Sequence, residues 1–191
     1  MTLFEKALSY AVQKHAGAVR KLDCAPYILH PMETALIVST LTHDEEVLAA
    51  AVLHDTVEDT DATPDEVREL FGERTASLVA SETENKRPDL PKSQSWRIRK
   101  EESLRELAAA DDPAVLCLWL GDKLSNLRSL QRAYRAEGEA VWQHFNQRDP
   151  AQHAWYYRSI VKLLSPLSYT DAWKELNALT EEIFGGVESE E

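Results

Sequence analysis

With 191 residues, 43% of them hydrophobic and 28% charged, the chain has room for one domain with a full core and the composition of an ordinary globular protein rather than a disordered one. A formal net charge of −12 argues against nonspecific DNA or RNA binding, which rests on Lys and Arg neutralising phosphates. No apolar run approaches the roughly 20 residues of a membrane span, and the charged N-terminus MTLFEKALSYAVQKHAG does not read as a signal peptide, so a cytoplasmic protein is expected.

In chain order, Leu3, Phe4, Ala7, Leu8, Ala11 and Val12 recur at three- and four-residue steps, which predicts an amphipathic helix over Thr2 to Lys14. Turn residues from Ala18 to Pro26 lead to His30-Pro31, where proline suits the first turn of a helix running to Leu41. Asp44 caps a helix from Glu45 through VLAAAVLHDTVEDT, expected to stop near Thr60. Thr63-Pro64-Asp65-Glu66 has the form of a capping box and opens a helix to Gly72, with another over Arg74 to Thr83. Glu84 to Ser95 holds two prolines and few large apolar residues, and reads as a mobile loop and candidate lid. Helices follow at Trp96 to Ala109, Ala114 to Glu137, His153 to Leu164 and Tyr169 to Phe184, before an acidic tail at 185–191. Strand patterns are nearly absent. The expectation is an all-α bundle of about eight to ten helices forming a single domain over 1–191, with its motifs at 15–130 and C-terminal helices at 139–184.

Cys24 and Cys117 lack CxxC spacing and signal neither a zinc knuckle nor a disulfide framework, so both read as core or near-core residues. Chemistry concentrates elsewhere. In His54-Asp55-Thr56-Val57-Glu58-Asp59, two pairs stand four residues apart, so one helical turn carries four potential ligands or bases. The preceding Val47 to Leu53 is apolar almost all round and delivers these groups into or beside the core. Burying several unpaired acids costs several kcal/mol, on the order of the whole stability margin, unless a cation or hydrogen bonds compensate. The bland alternative is a helix cap with surface ion pairs. Asp122 likewise interrupts an otherwise apolar helix, with Asn126 four residues on along the same face. His30, His54-Asp55 and Asp122 together offer two imidazoles and two carboxylates, a set suited to a divalent ion such as manganese, iron or zinc.

This spacing resembles that of the HD phosphohydrolase superfamily. HAGAVRK at 15–21, PYILHP at 26–31, LHDTVEDT at 53–60 and GDKLSNLRSL at 121–130 resemble, more narrowly, the hydrolase domain of RelA/SpoT-type enzymes, which remove the 3′-pyrophosphate from (p)ppGpp. The resemblance runs from residue 3 to about 130 and is closest to stand-alone small alarmone hydrolases, so no synthetase half is expected. It implies that His30, His54, Asp55 and Asp122 hold one metal, manganese by preference, and that Glu58 and Asp59 position and deprotonate the attacking water. It also implies substrate contacts from Arg20, Lys21, Asn126 and, as a weaker match, Lys92.

The chain departs from the family pattern at Asp23-Cys24-Ala25, at Gly121 where alanine is usual, and across NQRDPAQHAWYY at 146–157. In that last segment Arg148, His153, Tyr156 and Tyr157 are all candidates to line a pocket, and Tyr156 is the choice carried forward because an aromatic beside a nucleotide can stack or hydrogen-bond. Alternatives are a (p)ppApp hydrolase or NADPH 2′-phosphatase on the same site, a generic HD nucleotidase or phosphodiesterase, and a non-catalytic alarmone sensor. A small nucleotide is the expected partner, with no nucleic acid and no membrane. The residues leave base preference and oligomeric state open.

Overall fold

A computed structural model describes residues 1–87 and 89–188, the side chains of 92–94 excepted. Among the described residues the fold is all-α: α1 (Leu3–Lys14), α2 (Leu29–Ser39), α3 (Glu45–Leu53), α4 (Thr56–Asp59), α5 (Pro64–Phe71), α6 (Glu73–Ala80), α7 (Lys92–Ala108), α8 (Pro113–Glu137), α9 (Pro150–Leu163) and α10 (Asp171–Phe184), with 3₁₀ turns at Gly138–His144 and Ser165–Leu167. None is long and apolar enough to cross a membrane among the described residues.

Local chemistry sets most of the boundaries. At α1, Thr2 Oγ1 accepts from the Glu5 backbone N–H while Glu5 Oε2 takes the Thr2 N–H, a reciprocal cap. Asp112-Pro113 and Asp149-Pro150 start α8 and α9 in the same way, each Asp accepting from the backbone two residues on and each proline filling the first turn. Thus α9 begins three residues earlier than expected from His153. Gly72, at φ +89°, makes the sharp corner between α5 and α6 that a Cβ would strain.

The expected helix from Glu45 to Thr60 is broken. His54 Nδ1 lies 2.9 Å from the Ala51 carbonyl, and Thr56 Oγ1 donates to the Leu53 carbonyl at 2.6 Å, so side chains take the acceptors that further helical turns would use. The chain turns at His54 and Asp55 and resumes as the single turn α4. The proposed lid also shortens, because α7 starts at Lys92 and leaves only Glu84 to Pro91 as a connecting strap.

Two cores form. One gathers α1, α3, α5, α6 and the inner face of α2 around Val38, Val52, Leu53, Val67 and Phe71; the other gathers α8, α9 and α10 around Trp119, Leu124, Leu127, Trp142, Ile160 and Phe184. Helix α8 serves both, giving Leu118 to the first and Trp119 to the second, and packs closely along α2. Gly121 sits at that crossing: a Cβ there would lie 2.6 Å from Val38 Cγ2 and 3.0 Å from the Thr34 carbonyl oxygen. The seam where α2, the end of α3 and the middle of α8 meet is where the polar residues singled out above lie. Cys117 is buried as expected, whereas Cys24 is exposed in a turn at φ +55°.

Candidate active site

Three elements bring the donors together. His30 comes from the first turn of α2, His54 and Asp55 from the break after α3, and Asp122 from the middle of α8. The Nε2 atoms of His30 and His54 are 3.2 Å apart. Asp122 Oδ1 stands 3.0 and 3.5 Å from them, and Asp55 Oδ2 stands 3.4 and 3.2 Å from them. Ligand atoms of His30, His54 and Asp122 all lie within 4.8 Å of one another; Asp55 lies outside this tightest trio but reaches both imidazoles.

The ring protons fit a cation. A carbonyl can only accept, so His54 Nδ1 carries its proton toward Ala51 and Nε2 presents a lone pair to the cluster. Two imidazole nitrogens and two carboxylate oxygens thus converge as donors of electron pairs, the borderline set that divalent transition ions take. Without an ion, the same acids favour a proton on His54 in the cation's place. Burial works against charge on His54, yet Asp55 and Asp122 hold its pKa well above the usual 6.5. Burial also opposes ionisation of Asp55, but the two imidazoles hold its carboxyl well below the ordinary range. Asp122 is buried too and is held down by Lys123 and then by the imidazoles.

A ring of partners fixes these ligands. Tyr27 donates to Asp55 Oδ2 at 2.7 Å and reaches Asp59 Oδ2 at 3.0 Å. Lys123 donates to Asp122 Oδ2 and, at 3.2 Å, to Glu82 Oε2; burial pushes the Glu82 carboxyl up to about 8. Asn126 donates to Asp122 Oδ1 at 2.7 Å, and its own oxygen accepts from Arg20 at 3.1 Å.

The break after α3 separates the acids that the sequence placed on one turn. His54 and Asp55 face the cluster, while Glu58 and Asp59 face the strap: Glu58 Oε2 accepts the Glu84 N–H at 3.1 Å, and Lys86 donates to Asp59 Oδ1 at 2.6 Å and to the Glu58 carbonyl at 2.5 Å. Burial raises the Glu58 pKa above 4.5. The strap is anchored on its other side as well, Glu84 binding Arg99 and Lys100 at 2.6 Å each and Arg87 binding Glu102.

Beside the cluster lies a cavity of about 370 Å³. Arg20, Lys21, Asn126 and Tyr156 all line it, together with Tyr27, Asp59 and Lys100 and an aromatic wall of Trp96, Phe145, His153 and Tyr157. Of the four candidates at 146–157, His153, Tyr156 and Tyr157 therefore line the cavity and Arg148 does not. The hydroxyl of Tyr156 is buried without a hydrogen-bond partner. A short hairpin presents the basic pair, Arg20 N–H donating to the Ala25 carbonyl at 2.9 Å before the chain returns at Tyr27. Lys100 reaches the cavity from α7 with its ammonium 4.7 Å above the Tyr156 ring. The side chain of Lys92, the remaining candidate, lies outside the described residues.

Sequence reasoning passed over Tyr27, Glu82, Lys86, Lys100 and Lys123. Tyr27 stands three residues before His30 but ahead of the start of α2, so helical periodicity does not single it out. The others become visible only when the strap, α7 and α8 are folded together.

The HD domain family model matches residues 7–152. The chain belongs to the HD domain family. HD domains bind divalent metals, and His30, His54 and Asp122 form a possible site for one here. Among curated relatives, this HD domain is 41% identical to the guanosine-3′,5′-bis(diphosphate) 3′-pyrophosphohydrolase of Aquifex aeolicus over 126 residues, covering 66% of this chain and 17% of that protein. It is 42% identical over 130 residues to a GTP pyrophosphokinase of Brucella ovis, again covering 17% of the relative's length. Among solved structures it resembles a metazoan ortholog of SpoT that hydrolyses ppGpp and plays a role in starvation responses, with a TM-score of 0.72 and 31% identity over 97% of this chain and 96% of the other. A protein from Listeria monocytogenes EGD-e gives a TM-score of 0.70 at 34% identity, over 82% of this chain and 99% of that one.

Proposed function

We propose that this HD domain is a metal-dependent pyrophosphohydrolase that removes the 3′-pyrophosphate from (p)ppGpp, giving GDP or GTP and pyrophosphate. The observation that carries the reading is the junction of two features: four converging donors, His30, His54, Asp55 and Asp122, and a cavity lined by Arg20, Lys21 and Lys100, which reaches Asp122 through Asn126 and Asp55 through Tyr27. A molecule of net charge −12 draws an anionic substrate to such a place through local cations and a bound dication rather than through its overall field.

Manganese fits the mixed imidazole and carboxylate set. Bound there, it would acidify a water and screen charge on the phosphoryl group. The chain's own residues supply the rest. Arg20 and Lys21 hold phosphate oxygens, and Asn126, fixed between Arg20 and Asp122, presents its amide to the ribose. Glu58, the acid whose pKa is raised by burial, takes the proton from the attacking water, and Asp59 orients that water. The aromatic wall, Tyr156 included, takes the apolar faces of the nucleoside.

The test is product identity from purified protein given ppGpp, ppApp and NADPH with manganese. Release of GDP and pyrophosphate from ppGpp is expected. Turnover of ppApp alone, phosphate from NADPH alone, or tight ppGpp binding without any product would replace the proposal by the adenine, phosphatase or sensor reading respectively.

A further inference from the structure

His30 alone among the two imidazole ligands has its outer nitrogen on a side chain rather than a carbonyl: Nδ1 lies 2.8 Å from Ser125 Oγ, and a hydroxyl can give or take a proton. What settles the direction is the next residue along. Ser125 donates its single proton to Glu33 Oε2 at 2.8 Å, so it can only accept from His30. Glu33 in turn is held by Arg128, whose Nη1 donates to Glu33 Oε1 at 3.1 Å while its Nε and Nη2 clasp Glu175 of α10 at 2.7 and 2.6 Å. The guanidinium is held charged by these two acids, with its pKa raised.

Helical spacing places the relay. Glu33 is one turn beyond His30 on α2, and Ser125 and Arg128 are one and two turns beyond Asp122 on α8. The two helices come close enough for a hydroxyl to bridge them because Gly121 carries no Cβ at their crossing. We infer that Ser125, fixed by the Glu33–Arg128 pair, is the positioning residue of the metal centre: it locks His30 in the Nδ1–H tautomer and turns the Nε2 lone pair toward Asp55, His54 and Asp122. The inference rests on the metal-centre part of the proposed function and not on the identity of the nucleotide.

The experiment uses the full chain without substrate. Manganese affinity is measured by calorimetric titration, and the His30 ring tautomer by ¹⁵N shifts of the metal-free protein, for the wild type, Ser125→Ala, Ser125→Thr and Glu33→Ala. Ser125→Ala is expected to weaken manganese about 10- to 100-fold, the usual effect of losing the partner of a ligating histidine, and to shift the His30 nitrogens away from the Nδ1–H pattern. Ser125→Thr keeps the hydroxyl and restores both readouts, and Glu33→Ala, which lets the serine proton turn toward His30, reproduces the tautomer shift. Unchanged ¹⁵N shifts and unchanged affinity in Ser125→Ala and Glu33→Ala would overturn the relay. A wild type that binds no manganese would sink the metal reading instead, while the nitrogen shifts still decide the tautomer.

Discussion

Single atoms decide the chemistry of this site. Tyr27 has one proton and two carboxylates within reach, so Tyr27→Phe removes the bond that orients Asp55 without changing shape; manganese affinity is expected to fall about 10- to 100-fold, read by titration. Glu58→Gln should leave metal binding intact and lower kcat by about 10²- to 10⁴-fold, the usual contribution of a positioned base. The pH dependence has a definite sign. A base works when deprotonated, and burial raises the Glu58 pKa, so activity is lost as pH falls through a value above 4.5; Glu58→Gln should erase that acid limb from the rate profile. Much of this scale was legible beforehand. His54, Asp55 and Asp122 stood out as polar groups on apolar helices, and His30 joined them only through its spacing and the family resemblance. Tyr27 and Lys123 did not, because a tyrosine at a helix start and a lysine on a long helix have ordinary surface uses, and only folding shows them pressed against carboxylates.

Elements set how close those atoms come. The crossing of α2 and α8 depends on Gly121, and Gly121→Ala sets an overpacking penalty of about 1–3 kcal/mol against about 1 kcal/mol gained in helix propensity. A net loss of up to about 2 kcal/mol is expected, a fall in Tm of several degrees at roughly 2–4 °C per kcal/mol for a chain of this size, with weaker manganese binding as Ser125 moves from His30. The strap from Glu84 to Pro91 makes a second case. Its prolines and polar composition read as a mobile loop, yet Glu84, Lys86 and Arg87 tie it to α7 and α4. Glu84→Ala should loosen it, seen as faster amide exchange over residues 84–91 and a lower kcat, since the Glu84 N–H also holds Glu58. Composition extended the loop to Ser95, whereas α7 has already begun at Lys92, and it carried no information on ion pairs made with residues 15 or more positions away. The break at His54–Asp55 escaped for a similar reason, because periodicity continues across it and only the side-chain bonds to Ala51 and Leu53 stop the helix.

At the scale of the molecule, two cores share one helix, and the ligands occupy the seam between them. A bound ion therefore links the α1–α6 half to the α7–α10 half, and its removal should be felt globally. With free manganese at a hundredfold excess over its Kd, binding adds about 2.7 kcal/mol, so chelation is expected to lower Tm by roughly 5–10 °C, and Asp55→Ala should show no such manganese response. The all-α architecture was legible from periodicity and caps along the chain. The two-core division was not, since α8 offers apolar residues to both sides and its sequence does not say which neighbours it joins. The most direct measurement titrates manganese into metal-free protein and follows metal content and pyrophosphate release from ppGpp in the same samples. A rate that rises in proportion to occupancy and saturates at one ion per chain is expected; full turnover in chelated protein, or no turnover with one ion bound, would contradict a metal-dependent hydrolase built on His30, His54, Asp55 and Asp122.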